Sequence, residues 1–491
     1  MTTAIEVHDP GESSMFTLEE IDQFTMKQGL DLFRQHINPS VANMYSLLGL
    51  AERKPVRAEG MYIYLEDGSK VLDLAAGITV VNCGHNHPRV MAARKRWAEQ
   101  RALEHWKFIP SPHQAGLAHN LAQIFPGDLN YVFYCNSGAE ANEGALKMAQ
   151  KYSGKHRKKV VFTHISFHGK TLGTLSVSGS EHSNNEHFNL TQNCLEIRFG
   201  DAQALEDVIR AHKSGIGKSE VGTFIVEAIR SEGVVVPPKG YLAEVRRICS
   251  KYDVVLIVDE VFCGFGRTGK MFAFEHENIV PDIVSFSKAF GAGKASFGGF
   301  IARTPIFQKA YGKMKNATIH STTYNGLGEE IVTAIETLHI LNDECLVENS
   351  RANGQYFIEQ LKLLKARHPR IVKDVRGVGL LINIELKSLV AKLSRYLPLS
   401  APEEMVDKIT TGGVISELYE KHNILVYAPL HNNNIIMITP PLLINREQID
   451  QFIRALDEVL TTNLVEKVAG FTKKSLGSLT EPSIQLRPKT E

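Results

Sequence analysis

Two apolar runs in this chain each end in a residue able to do chemistry. Val254-Val255-Leu256-Ile257-Val258 runs into Asp259, and Asp282-Ile283-Val284-Ser285-Phe286-Ser287 runs into Lys288. A short β-branched run bounded by polar residues reads as a buried strand, and open α/β sheets bind ligands just beyond the carboxyl ends of their strands. Asp259 and Lys288 are therefore expected to face one crevice. There a lysine can form a Schiff base with an aldehyde, and a buried carboxylate can keep a pyridine nitrogen protonated, making the ring an electron sink. Taken alone, the pair also fits a strand-end Asp and an ordinary surface Lys.

The elements that must position these residues are legible in outline. Between Leu117 and Leu338, strand-like runs alternate with helical stretches: Tyr131 to Tyr134, Lys159 to Phe162, Gly222 to Val226, Val254 to Val258, Ile283 to Phe286 and Phe300 to Ala302. Such alternation predicts an α/β protein with a largely parallel, helix-covered sheet. Upstream, Phe16 to His36 carries apolar residues at helical spacing, and Met61 to Asp73 reads as a hairpin turning at Asp67-Gly68. Downstream, a linking helix near Glu330 to Leu341 leads to a second α+β block with a strand over Gly379 to Glu385 and a final helix over Glu447 to Leu460. The expected division is 1–75 (N-terminal part of a small lobe), 76–338 (large domain), 339–470 (C-terminal small domain) and 471–491, a Ser/Pro/Lys-rich disordered tail.

Composition narrows the function classes. The 491 residues are 43% hydrophobic and 22% charged, and their net charge of +1 provides no field for nucleic acid or an anionic membrane. The six cysteines (Cys83, Cys135, Cys194, Cys249, Cys263, Cys345) form no C-x-x-C pair, so neither a zinc site nor a disulfide framework is expected, and a reducing compartment fits best. Met1 to Ser14 are polar and acidic without a signal-like apolar core, and no run of about 18 apolar residues occurs, so a cytoplasmic protein is expected.

Some motifs mislead. Gly264-Phe265-Gly266-Arg267-Thr268-Gly269 matches G-x-G-x-x-G, and Gly264 to Lys270 matches most of G-x-x-x-x-G-K. Met271 stands where a phosphate loop needs Ser or Thr, and Met271-Phe272-Ala273-Phe274 is a poor helix start, so both nucleotide readings are weak. A better anion cradle is Tyr131 to Asn136 running into Ser137-Gly138-Ala139-Glu140-Ala141-Asn142, since a strand, small residues and a helix aim free N–H groups and a positive dipole at a phosphate. A plain cap by Ser137 or Asn136 fits the same segment. Phe167-His168-Gly169-Lys170-Thr171 supplies an aromatic face for a flat ring, although Phe167 also fits the core.

Taken in order, these segments resemble the class III (omega) aminotransferases of the pyridoxal-phosphate fold-type-I superfamily, over about Val56 to Leu460. The resemblance is carried by Gly84-His85-Asn86-His87-Pro88, Ser137 to Glu143, Phe167-His168-Gly169, Glu227 to Gly233, Asp259-Glu260-Val261, Gly264 to Lys270, Pro281-Asp282-Ile283 leading to Lys288, His320 to Gly326, and Arg376 to Leu380. It implies a large domain with a mostly parallel seven-stranded sheet plus a small α+β domain built from both chain ends. The implied cofactor is pyridoxal 5'-phosphate, cycling through its pyridoxamine form. By resemblance, Lys288 would link to the cofactor and, once freed, move a proton between substrate and cofactor carbons. Asp259 would pair with the pyridinium. Ser137, Gly138 and Ala139 would hold the phosphate, Phe167 and Val261 would pack the two ring faces, His168 would lie beside the ring, and Glu227 would support the cofactor edge. Thr323 resembles the threonine that reaches the phosphate from a neighbouring subunit, which implies a homodimer.

The departures bear on substrate. Phe262 stands where many members have a Gln that hydrogen-bonds the ring hydroxyl, and Met437 where members acting on α-amino acids usually have an Arg gripping the α-carboxylate. Glu232 resembles the glutamate that in some relatives neutralises that arginine, while Arg230 either binds a carboxylate from a new direction or simply pairs with Glu232. The resemblance thus implies a ping-pong transfer between a primary amine or diamine lacking an α-carboxylate and an aldehyde or ketone, with pyruvate/alanine or 2-oxoglutarate/glutamate as partner. A decarboxylase, mutase or racemase on the same fold would use the same lysine and aspartate.

Overall fold

The computed structural model describes residues 15–180, 187–213, 219–388, 403–429 and 434–461. The tail expected at 471–491 and the first 14 residues lie outside them. Among the described residues fourteen strands form three sheets, numbered in chain order: β1 Pro55–Glu59, β2 Tyr62–Leu65, β3 Lys70–Asp73, β4 Leu129–Cys135, β5 Lys159–Thr163, β6 Cys194–Ile197, β7 Val221–Glu227, β8 Val255–Asp259, β9 Ile283–Phe286, β10 Gly298–Arg303, β11 Val372–Val378, β12 Leu381–Leu386, β13 Ile424–Leu425 and β14 Ile435–Ile438.

The largest sheet has seven strands in the order β4-β10-β9-β8-β7-β5-β6. Strands β5 to β9 pair in parallel, whereas β10 runs antiparallel to both β4 and β9. Every residue of β7, β8 and β9 is buried, as β-branched strands covered by helices on both faces must be. Each run read as a strand of the large sheet is one. The edge strand β6, only partly buried and without a β-branched run, was not among those read.

The helix Gly138–Ser153 lies across this sheet. Its buried residues include the small Ala141, Gly144, Ala145 and Ala149, and a Cβ on Gly144 would stand 2.4 Å from the Phe300 ring, so only glycine lets the helix approach β10 this closely.

The other two sheets join distant segments. In the order β1-β2-β3-β13, the N-terminal hairpin meets Ile424–Leu425 in parallel with β3. The third, β11-β12-β14, is antiparallel. Its central strand starts at Leu381 and not at Gly379 as the pattern suggested. Gly379 turns the β11–β12 hairpin at φ 57, where a Cβ would lie 2.4 Å from the Thr268 carbonyl carbon.

The Gly264–Lys270 stretch is a packing device. A Cβ on Gly266 would meet Leu442 at 2.8 Å and one on Gly269 would meet Arg351 Cα at 2.9 Å, and a short 3-10 turn follows in place of a phosphate-binding helix. Between them Arg267 is fully buried and donates to Leu380 O at 3.1 Å, Pro440 O at 2.6 Å and Asn82 Oδ1, stitching three remote segments together. Among the described residues no helix is long and apolar enough to cross a membrane, and all six cysteines are free.

Candidate active site

Asp259 ends β8 beside Glu227 at the end of β7 and opposite Ser285 of β9. Three groups hold its carboxylate: Asn142 donates Nδ2 to Oδ2 at 2.7 Å, His168 Nδ1 lies 2.8 Å from the same oxygen, and Val261 N donates to Oδ1 at 2.9 Å. Asn142 is itself held, donating also to His168 O at 2.9 Å and accepting from Ser285 Oγ at 2.6 Å. The buried aspartate therefore has one orientation. Strand alternation turns its neighbour Glu260 the other way, where its oxygens accept from Ala273 N and Phe274 N. Burial pushes that carboxyl up to about 8, against the pull of the two N–H groups.

Lys288 follows β9 after one residue, with its backbone in the left-handed region at φ 47. A lysine held there costs about 1–3 kcal/mol, a strain that tends to collect at functional sites. Its amine stands 4.2 Å from the centroid of the Phe262 ring. Protein surrounds Nζ, yet part of the side chain still meets solvent, as expected of a group lining a crevice. Burial pulls its pKa from 10.5 down to about 8; the charges of Asp259 and then Glu227 work against that fall.

Behind the lysine lies a buried ionic cluster. Arg230, only 3% exposed, donates to Glu232 Oε2 at 2.6 Å, Ser180 Oγ at 3.1 Å, Ser231 Oγ at 3.2 Å and Glu227 Oε2 at 3.3 Å. Of the two readings of Arg230, pairing with Glu232 is the geometry found. Burial pushes Glu227 above the usual carboxylate range, with Arg230 the largest opposing influence.

The register of the third sheet sets Arg376, Asn383, Met437 and Tyr427 in one cross-strand row. At one end the row reaches the Glu232–Gly233 turn, where Arg376 Nη2 donates to Gly233 O at 3.3 Å; at the other, burial and, to a lesser degree, the charge of Glu232 push the Tyr427 phenol up to about 12. Met437 is buried, and Arg376 is engaged by Glu385 at 2.9 Å and Asp374 at 3.1 Å. Asn383 is fully buried with neither amide atom hydrogen-bonded.

Ser137 caps the helix Gly138–Ser153 by accepting from Glu140 N at 3.2 Å, so it is a cap; the next N–H groups, on Gly138 and Ala139, belong to the first turn and have no intrahelical acceptor. A Cβ on Gly138 would lie 2.7 Å from Val261 Cγ1, which sets this helix end against the segment following Asp259. Phe167 is half-buried beside the buried His168. Thr323 stands apart, exposed on a loop whose carbonyl accepts from His105 Nε2 at 2.9 Å.

These features suit a flat phosphorylated pyridine aldehyde. A fixed carboxylate, an amine of lowered pKa, a helix N-terminus and the buried, unpartnered Nε2 of His168 converge around Asp259. Sequence reasoning missed the roles of Asn142, Ser285, Ser180, Asn383 and Tyr427. Only Asn142 left a trace, as a polar residue on the small, buried face of a helix.

Comparison with known proteins agrees. The profile of the family described as Aminotransferase class-III matches residues 50–460. The aminotransferase PigE of a Serratia species is 32% identical over 462 residues, covering 88% of this chain and 53% of that protein, so the chain spans about half the length of this curated relative. Among solved structures, an (S)-enantioselective omega-transaminase from Thermomicrobium roseum is 28% identical with a TM-score of 0.78, covering 90% of this chain and 99% of that one. An ornithine aminotransferase from Toxoplasma gondii is 26% identical with a TM-score of 0.76, covering 91% and 98%. A transaminase from the marine bacterium Virgibacillus is 25% identical, also with a TM-score of 0.76, covering 90% and 99%.

Proposed function

The chain belongs to the class III aminotransferases, pyridoxal-phosphate enzymes, and from that premise we propose that it moves an amino group from a primary amine or diamine lacking an α-carboxylate to a small keto acid, pyruvate or 2-oxoglutarate. When bound, the cofactor supplies an aldehyde carbon that takes up the amine nitrogen and a protonated ring that accepts electrons from a breaking C–H bond. The chain supplies the rest. Lys288, with a pKa near 8, can release and take up a proton near neutral pH without a large driving force in either direction. Asp259, its carboxylate fixed by Asn142, His168 and Val261, would face the ring nitrogen. Gly138 and Ala139 would offer N–H groups to the phosphate next to Ser137, Phe167 and Val261 would take the ring faces, and Glu227 would support the cofactor's edge.

The substrate reading rests chiefly on Met437. In the row that faces the Glu232–Gly233 turn, this thioether occupies the place where an α-carboxylate would need a guanidinium, and the two arginines nearest that turn are already held, Arg230 by Glu232 and Glu227, Arg376 by Glu385 and Asp374. A carboxylate entering there would have to displace one of these pairs. The test adds amines to the yellow holoenzyme and follows loss of its visible absorbance. Faster bleaching by α-amino acids than by ω-amines and diamines would overturn the reading, and keto-acid-dependent return of the colour separates transfer from decarboxylation or racemisation.

The same reading includes a homodimer acting in the cytoplasm, with Thr323 serving the partner's phosphate. Support comes from an apolar surface beside that residue: Phe108 is 96% and Met314 95% exposed, with Ile109 and Tyr324 close by in sequence, and Lys107 Nζ donates to Thr322 O at 2.7 Å, joining the two loops. We also read 76–338 as the cofactor-holding domain and 339–470, with the first 75 residues, as the small lobe.

A further inference from the structure

We propose that Phe262 is a positioning residue for Lys288, its ring face holding the lysine as an ammonium whenever the amine is not joined to the cofactor. The inference deepens the reading above and rests on it. Position 262 lies in the turn after β8, three residues beyond Asp259, with the ring half-buried against the main core. Nζ sits 4.2 Å from the ring centroid, within the reach at which the negative face of an aromatic ring attracts a cation.

The surroundings explain why that contact matters. The groups facing Nζ are Asp259 from β8, Glu227 from β7, Cys263 from the same turn as Phe262, and Arg230 from the turn after β7. Asp259 and Glu227 favour the charged amine through space, but among the described residues no carboxylate comes within ion-pair distance of it, since the first is committed to Asn142, His168 and Val261 and the second to Ser231 and Arg230. Arg230 opposes the charge, and the Cys263 thiol is kept neutral by burial. Among the described residues the ring is therefore the one group seen to engage the ammonium directly.

A ring and a hydrogen-bond acceptor would act differently here. A carboxylate or amide oxygen would take one of the three N–H donors of the ammonium and would have to be abandoned each time the lysine delivers a proton. An aromatic face offers no acceptor, so the nitrogen is placed while all its protons stay free to move. The Phe262 ring here is turned to the lysine.

The test uses the full chain freed of cofactor and measures how fast it takes up pyridoxal 5'-phosphate between pH 6.5 and 10, by the growth of visible absorbance. Only the neutral amine attacks the aldehyde carbon, the carbonyl oxygen leaving as water with two protons from the nitrogen, so the midpoint of the rate profile reports the lysine. Phe262→Leu should lower that midpoint by about one pH unit, and Phe262→Met should do the same if the leucine variant folds poorly. Phe262→Tyr, which keeps the ring, should leave it in place. A merely structural role would slow uptake at every pH without moving the midpoint. An unmoved midpoint in both Leu and Met, or a Tyr variant displaced as far as they are, overturns the proposal. No uptake by the wild-type chain at any pH would overturn the cofactor reading itself and this inference with it.

Discussion

Asn142 donates to Asp259 at 2.7 Å from a helix whose first turn lies against Val261, so one residue couples the carboxylate to the helix that carries the anion cradle. Replacing it by Ala leaves Asp259 with two partners and removes a hydrogen bond to a charged group, worth about 1.5–3 kcal/mol. Cofactor affinity should fall roughly tenfold to a hundredfold, measured by titrating the cofactor-free protein. An unchanged Kd would mean that His168 and Val261 suffice.

Arg230 neutralises the buried Glu227 and the half-buried Glu232, so Arg230→Ala should damage stability more than catalysis. Breaking a buried pair from one side costs about 3–5 kcal/mol. A clear fall in Tm with a nearly unchanged KM for the keto acid is expected. A large rise in KM with Tm intact would instead make Arg230 the carboxylate ligand.

Met437→Arg should install what α-amino acids require. The new guanidinium would emerge beside Tyr427 and near the Glu232–Gly233 turn. Bleaching of the holoenzyme by α-amino acids, relative to an amine without a carboxylate, should gain at least about tenfold from the charge-assisted contact. No change in that ratio would show that the 437 side chain does not face the substrate.

The depressed Lys288 pKa has a consequence for stability whose sign can be worked out. The native amine titrates near 8 and the unfolded one near 10.5. Below about pH 8 both states carry the proton and folding bears the full cost of burying it; the cost declines as pH rises towards 10.5 and is gone above it. Lys288→Met should thus raise the Tm of the cofactor-free protein at pH 7, with a smaller gain at pH 10, while abolishing transfer. An equal gain at both pH values would show that the charge is not responsible.

The exposed Phe108 and Met314 should matter only between subunits. Phe108→Glu paired with Met314→Glu should convert a dimer to a monomer on light scattering and weaken cofactor binding through loss of Thr323 from the partner. A persistent dimer would place the interface elsewhere.

What could be read from the chain and what could not divide along a physical line. Strands β7, β8 and β9 were legible because burial on both faces demands uninterrupted β-branched runs, and the positions of Asp259 and Lys288 because they stand where two of those runs end. The two-residue β13 is too short to carry a pattern, and it exists because β3 offers a free edge to a segment far away in the chain. The left-handed backbone at Lys288, Ile78 and Thr79 runs against the local preference of those side chains and is imposed by their surroundings.

By itself the order of residues determined the fold class and the placement of Asp259 and Lys288 at or just beyond strand ends, since both follow from local pattern. Tertiary structure alone decided the company those residues keep: Asn142 under Asp259, Phe262 under Lys288, and the row from Arg376 through Asn383 and Met437 to Tyr427. Contacts of this kind depend on strand register and helix rotation, which position along the chain does not encode, because a slip of one residue turns every side chain to the other face.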